Sequence, residues 1–441
     1  MLDYKVSTFN NGLKLITAPL ANTKAVTVLF LVSVGSRYED KKISGISHFL
    51  EHLFFKGTKK RPTTLDISKT LDSVGASYNA FTGEEYTGFY VRASSEHFDL
   101  ALDVLFDLLY NAKFDPEEIE KEKGVIIEEI NMYQDTPQAF IVDLAKQLFY
   151  KDQSLGRPVT GEKETVRSIT RQDLLKFRDS FYSPDNMIIT VAGGPLTSLE
   201  NTRDKSLGAG KNGIDWEGKI KEYFDKIKTK KQGEYEKVYE NQTKPESLVY
   251  FKKTDQAHLV LGFRTLPRTD KRRPIMKVLN NLLGETMSSR LFTEVREKRG
   301  LAYYISSDIA DFCDAGVLGV SAGVDINRAE EAVKVILDEF TKVKTEKVSP
   351  EELKRSKENM KGRLYLGLEE SFAVADFLAE QQLFWEKIDD PEELVKKYEK
   401  VTAEDILNFA QKHFTSKNLN LAIIGPFKDK QKFQSILDKF K

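Results

Sequence analysis

An α+β fold built twice is what this sequence predicts, each copy a mostly antiparallel or mixed sheet covered by helices. Three observations carry that reading. The segment ITRQDLLKF at 169–177 is echoed by VTAEDILNF at 401–409, and NMIITVAG at 186–193 by NLNLAIIG at 418–425, in one register offset by 232 residues, with Asp173 paired to Asp405. A period this long indicates duplicated domains rather than a solenoid of short repeats. Strand-length apolar runs are interleaved with longer stretches of 3.6-residue periodicity, the pattern of sheets covered by helices. The chain also has 441 residues, more than one ordinary core organises. The expected division is an N-terminal domain at 1–205, a linker at 206–245 and a homologous C-terminal domain at 246–441.

Taken in order, Asn11-Gly12 suits a hairpin turn, and the apolar runs at 13–18, 26–34, 77–82 and 86–92 read as strands. Segments 95–111, 116–133, 138–149 and 170–182 carry the helical period. Between the copies, 196–245 is rich in Gly, Asn and charge, ending in KIKTKKQGEYEKVYENQTK, and reads as linker. The stretch 204–218 has no evident purpose.

Composition excludes several function classes. Lys and Arg number 67 against 68 Asp and Glu, so no global field steers the chain toward nucleic acid or an anionic membrane. One cysteine, Cys313, rules out an intrachain disulfide or a multi-cysteine metal cluster, so any zinc site must draw on His and carboxylates. The N-terminal residues lack the layout of a secretory signal, and the longest strongly apolar run, 26–34, is far short of the roughly 20 residues that span a bilayer. A cytoplasmic protein is expected.

The segment GISHFLEHLFFKGT at 45–58 holds His-x-x-Glu-His, with Ser44 as the expected helix cap. At about 100° per residue, His48 and His52 fall about 40° apart and Glu51 about 60° from His48, so one stripe carries all three. Two imidazoles one turn apart can share a zinc ion; a catalytic site needs a third protein ligand and an open fourth position. The helix PEEIEKEKGVIIEEINMY at 116–133 supplies candidates. Ile119, Ile126 and Tyr133 mark its buried stripe; Glu129 lies about 60° from Ile126, whereas Glu128 points about 160° away. Glu129 is therefore the expected ligand. Glu122 precedes it by two turns on the same side, and carboxylates on a packing face need partners.

These residues resemble the insulinase or pitrilysin-type inverzincins, and most closely the short-chain branch that includes mitochondrial processing peptidase and its bacterial relatives. The similarity extends over essentially the whole chain, including the duplication and NAFTGEEYTGFY at 79–90. It implies a zinc-dependent endopeptidase with one Zn2+ per chain, His48, His52 and Glu129 as ligands, Glu51 as general base, and Glu122 as a supporting acid. It also implies that Arg296 and Tyr303, in VREKRGLAYY, assist catalysis from a different domain. In the second copy Asn280, Leu283 and Gly284 occupy the places of His48, Glu51 and His52, so no metal is expected there.

In this reading zinc makes water acidic, Glu51 takes its proton, and the peptide carbonyl is attacked while Arg296 and Tyr303 stabilise the charge that develops. Asn79, Ala80 and Phe81 lie on a strand that is either an edge accepting an extended peptide or an internal strand; the sequence leaves both open. Long-chain relatives enclose substrate between two halves, and this chain supplies one. A homodimer with shared active sites is expected, with no nucleic-acid or membrane partner. The alternatives are a catalytic subunit needing a different partner chain, as in processing peptidases, and a non-catalytic peptide-binding or structural subunit. Cys313, His97, His258 and His413 lie outside any motif and are expected to be structural.

Overall fold

The computed structural model describes residues 2–194, 215–229, 233–385 and 387–441; most of the 204–218 stretch lies outside them. The chain forms an α+β fold with two sheets, and packing divides it into two compact units.

The first unit contains Met1–Ile130, Pro158–Glu236 and Tyr365–Asp390. Its strands are β1 (Lys5–Thr8), β2 (Lys14–Pro19), β3 (Ala25–Val32), β4 (Ser77–Thr82), β5 (Thr87–Ser94) and β6 (Met187–Gly193). They lie in the order β1-β2-β6-β3-β5-β4, so β4 is an edge strand. The expected turn at Asn11-Gly12 joins β1 to β2; Gly12 sits at φ +80°, where a side chain would strain the backbone. β2 and β6 run parallel and the other neighbours antiparallel. On one face the helices Ile46–Phe54, Phe98–Asn111, Pro116–Asp135 and Arg171–Phe181 bury Phe49, Leu50, Phe54, Leu105 and Ile126 against Val28, Phe30, Phe89 and Val91.

The second unit contains Asn131–Arg157, Lys237–Leu364 and Pro391–Lys441. Its strands β7 (Glu246–Phe251), β8 (Ala257–Arg264), β9 (Ala302–Asp311), β10 (Gly316–Val324) and β11 (Leu419–Gly425) lie in the order β7-β11-β8-β10-β9. This is the first sheet without its outer hairpin strand, including the parallel pair, here β7 with β11. The duplication holds in detail. Helices Arg171–Phe181 and Ala403–His413 both begin with a reciprocal cap, Thr170 with Asp173 and Thr402 with Asp405, and both lead into an interior strand of their sheet, β6 and β11.

Packing departs from the contiguous limits 1–205 and 246–441. Helix Pro137–Tyr150, early in the chain, belongs to the second unit: Ile141, Leu144, Ala145 and Phe149 pack against Val260, Val317, Ala422 and Ile424. Helix Ser371–Phe384, late in the chain, belongs to the first: Val374, Ala375, Leu378 and Ala379 cover Ile16, Leu29, Leu31 and Ile188. Each covers the apolar back of a sheet that would otherwise face water. The linker expectation also needs correction at Trp216–Phe224, a helix of the first unit. Its Trp216, Ile220 and Phe224, spaced one turn apart, are buried in the core, and the Phe224 ring meets Phe30 edge-on at 5.6 Å. Among the described residues no helix is long and apolar enough to cross a membrane.

Candidate metal centre

The motif occupies helix Ile46–Phe54, which buries Ile46, Phe49, Leu50, Leu53 and Phe54 in the core and leaves His52 and Glu51 half-buried on the remaining stripe. Ser44 does not cap it. Gly45 stands at the N-cap with φ +95°, and the capping oxygens come from Glu39, which accepts from Gly45 N at 2.7 Å and Ser47 N at 2.8 Å. Glu39 places negative charge at the helix N-terminus, where the unpaired N–H groups and the dipole favour it. Gly45 must be glycine on two counts: its φ, and the Thr160 carbonyl oxygen 2.6 Å from where a Cβ would stand.

The second helix, Pro116–Asp135, buries Ile119, Glu122, Ile126 and Ile130. Tyr133, expected in that stripe, is 38% exposed, because the buried line moves to Ile130 in the last turns. Glu129 is half-buried and Glu128 exposed, as the periodicity predicts.

The two helices bring three donor atoms together. His48 Nε2 and His52 Nε2 are 3.2 Å apart, and Glu129 Oε2 lies 3.6 Å and 3.5 Å from them. Around a tetrahedral zinc at about 2.05 Å, ligand atoms stand about 3.3 Å apart, so the triangle has the right size. His52 Nδ1 donates to Glu122 Oε1 at 2.8 Å, which leaves the Nε2 lone pair free. The other Glu122 oxygen receives Lys56 Nζ at 2.6 Å. Burial, reinforced by the neighbouring His52, lowers the His48 pKa to about 3, so that ring is neutral. Two lone pairs and a carboxylate oxygen thus converge on one point, an arrangement that a divalent cation satisfies and that water-excluded neighbours do not. The chemistry of this donor set fits zinc.

The surrounding charges follow from burial and pairing. Burial alone would hold His52 neutral, but the hydrogen bond and charge of Glu122, with Glu129 and Glu51, outweigh it and raise its pKa. Burial would raise Glu122, yet His52 and Lys56 bring it below the usual carboxylate range. Glu129 is raised, chiefly by burial. Glu51 is also raised by burial, against the pull of Thr82, whose hydroxyl donates to Glu51 Oε2 at 2.5 Å.

The other expected residues are placed as follows. Asn79, Ala80 and Phe81 are on β4, which is an edge strand of its sheet and not an internal one. Ala80 is buried in the core beneath the motif helix, Asn79 is exposed, and Phe81 lies on the opposite face, its ring over Gly88. Arg296 and Tyr303 belong to the second unit, where the guanidinium lies 5.8 Å from the Tyr303 ring centre and Tyr303 is 75% exposed. At the position matching the histidine pair and its glutamate, that unit carries Asn280, Leu283 and Gly284. Asn280 and Asn281 donate to Glu285 at 2.6 and 2.9 Å, and Arg363 pairs with Glu285 at 3.7 Å. Of the remaining histidines, His258 Nδ1 lies 3.0 Å from the Tyr304 hydroxyl and His413 lies against Phe409, structural contacts both.

Sequence reasoning missed Thr82, Lys56 and Glu39. Lys56 could have been found, four residues beyond His52 on the same side. Thr82 and Glu39 had no local signal, since each reaches its partner only through the tertiary fold.

Comparison with known proteins identifies the family. Residues 14–163 match the family model described as insulinase (peptidase family M16), and residues 168–360 match the peptidase M16 inactive domain. The uncharacterized zinc protease YmxG of Bacillus subtilis is 34% identical over 95% of this chain and 97% of its own. An uncharacterized zinc protease of Streptomyces coelicolor is 34% identical over 96% of this chain and 90% of its own. The fold is shared with a protease from Helicobacter pylori, with TM-score 0.87 and 24% identity over 97% of this chain and all of that one. It is shared too with a peptidase M16 inactive domain from Pseudomonas fluorescens, with TM-score 0.85 and 16% identity over 97% and 98%. With the duplicated fold, the convergent donor triangle and full-length likeness to zinc proteases together, the chain belongs to the insulinase family of peptidases, M16.

Proposed function

We propose that this chain is a zinc-dependent endopeptidase acting on peptides or unfolded segments, with His48, His52 and Glu129 holding one Zn2+ and Glu51 as general base. The observation that carries this reading is the convergence of two imidazoles and a carboxylate within 3.2 to 3.6 Å, with a second carboxylate, Glu51, on the same helical stripe. When bound, zinc supplies Lewis acidity that polarises a peptide carbonyl and makes water acidic. Glu51 takes the proton from the attacking water and returns it to the leaving amine. Its burial favours the proton-holding form, which suits a group that must both accept and give. Glu122 fixes the His52 tautomer and ring plane, and Lys56 holds Glu122 in its ionised state.

Substrate enters as an extended strand on the free edge of β4 along Asn79, Ala80 and Phe81. Backbone pairing there gives broad sequence tolerance. Arg296 and Tyr303 stabilise the developing oxyanion. They are supplied in a homodimer whose chains complete each other's sites. This arrangement is supported by the presence of both the metal set and the Arg296–Tyr303 pair in one chain.

Zinc content and hydrolysis of a quenched peptide library, measured on the same sample, test the function. Wild-type protein should carry one zinc and cleave; Glu51→Gln should keep the zinc and lose turnover by about 10²- to 10⁴-fold. Normal cleavage by Glu51→Gln would refute the assignment. Mixing Glu51→Gln with Tyr303→Phe chains should restore part of the activity, and no recovery counts against the shared sites. A zinc-loaded wild type that cleaves nothing until a different chain is added would favour a heteromeric enzyme.

A further inference from the structure

The general base is held from outside its own helix. β4 pairs with β5 so that Ala80 faces Phe89 and Thr82 faces Thr87, and Ala80 sits in the core beneath the motif helix. Side chains alternate along a strand, so Thr82, two residues on, points to the same helix. Its hydroxyl donates to Glu51 Oε2 at 2.5 Å, within the range of a hydrogen bond to an ionised carboxylate. One Glu51 oxygen is thereby taken and the other left free.

The strand end that carries Thr82 is fixed to the same loop that fixes the helix start. Ser36 N donates to Gly83 O at 3.1 Å and Arg37 N to Glu84 O at 2.9 Å. The Arg37 guanidinium, fully buried, pairs with Glu85 at 2.6 Å. A Cβ at Gly35 would stand 2.2 Å from Gly83 O, so only glycine allows this approach. Two residues beyond Arg37, Glu39 accepts from Gly45 N and Ser47 N at the first turn of the motif helix. Residues 35–39 therefore fasten the β4–β5 turn at one end and the helix at the other, and the Thr82–Glu51 bond spans the gap between the two.

We propose that Thr82 is a positioning residue for Glu51: its hydroxyl anchors one carboxylate oxygen so that the other is presented to the attacking water. The inference rests on the reading of Glu51 as base. It also links the substrate edge to the base, since Thr82 is the last residue of the strand on which the peptide would add. An unanchored Glu51 loses the alignment that proton transfer needs, and displacement of about 1 Å can cost about 100-fold in rate.

The test compares zinc-loaded wild type, Thr82→Val, which keeps the branched shape without the hydroxyl, and Thr82→Ser, which keeps the hydroxyl. The expectation for Thr82→Val is one zinc per chain, KM near wild type, kcat lower by about 10- to 100-fold, and a Glu51 carboxylate moved away from residue 82 in its crystal structure. Thr82→Ser should restore both the carboxylate position and most of kcat. A Thr82→Val protein whose Glu51 carboxylate stays in place, or whose kcat equals wild type, overturns the proposal, and so does a Ser variant no better than Val. If wild type does not hydrolyse peptides, the endopeptidase reading fails, whereas the position of Glu51 in the variant structures still decides whether Thr82 holds it.

Discussion

Replacing Glu122 with Gln isolates what lies behind the donor triangle. Glu122 is 3% exposed and makes two bonds to charged or chargeable partners, His52 Nδ1 at 2.8 Å and Lys56 Nζ at 2.6 Å. Glutamine keeps the shape and can still accept from Nδ1, but a neutral bond is roughly half as strong as a charge-assisted one. The ring is then less firmly oriented and less basic. Loss of such a partner typically weakens metal binding by about 10- to 100-fold, or about 1.4 to 2.7 kcal/mol. The cost to the metal-free fold should be smaller: the Lys56 side chain is 25% exposed and can turn to water, so its lost pairing costs about 1 kcal/mol at most. Competition with a chromophoric chelator measures the zinc Kd, and urea unfolding of the metal-free protein measures the second effect. Glu128→Gln, one residue from the ligand but exposed, serves as control. A zinc Kd within twofold of wild type in Glu122→Gln, or an equal loss in Glu128→Gln, would refute the reasoning.

Two further outcomes follow from burial. Because burial raises the Glu51 pKa, this carboxyl of the metal-free protein takes up its proton at higher pH than an ordinary glutamate. Carboxyl NMR titration of the metal-free protein, with Glu51→Gln to assign the signal, should place it above the usual glutamate range; a Glu51 signal that titrates within or below that range contradicts the burial argument. Asp376, on the late helix of the first unit, is pushed up to about 6, first by burial and then by Glu380. A carboxyl raised in the folded state favours folding most at low pH and loses that contribution as pH rises through about 6. Asp376→Asn should therefore stabilise the protein by about 1 to 2 kcal/mol at pH 8, after allowance for partial exposure, and by nothing near pH 3. Urea midpoints at the two pH values decide it.

The sequence carried the three donor residues of the candidate centre because each sits on a helix and answers to a local period. His48 and His52 are one turn apart, and Glu129 separates from Glu128 by its angle to Ile126. The repeat carried the duplicated sheet order because matched caps and the interior strands that follow them keep one offset. What stayed hidden depends on contacts between distant segments. The Thr82–Glu51 bond needs the register of β4 on β5, and Glu39 caps a helix that begins beyond an intervening turn. The helix Trp216–Phe224 was concealed by charged neighbours, although its one-turn spacing of Trp216, Ile220 and Phe224 was there to be read. Helix Pro137–Tyr150 shows its apolar face plainly, but nothing local says which sheet that face will meet.

Helix Ser371–Phe384 lies far along the chain from the strands it covers, and this sets the order in which the pieces become available during synthesis. Ile16, Leu29, Leu31 and Ile188 are synthesised early, yet the helix that shields them, Ser371–Phe384, emerges only when most of translation is over. Until then a greasy surface stands bare, the condition under which nascent chains stick to one another or recruit chaperones. A truncated product ending near residue 236, which keeps the helix Trp216–Phe224, should accordingly aggregate, and adding the 371–384 peptide in trans should reduce that aggregation.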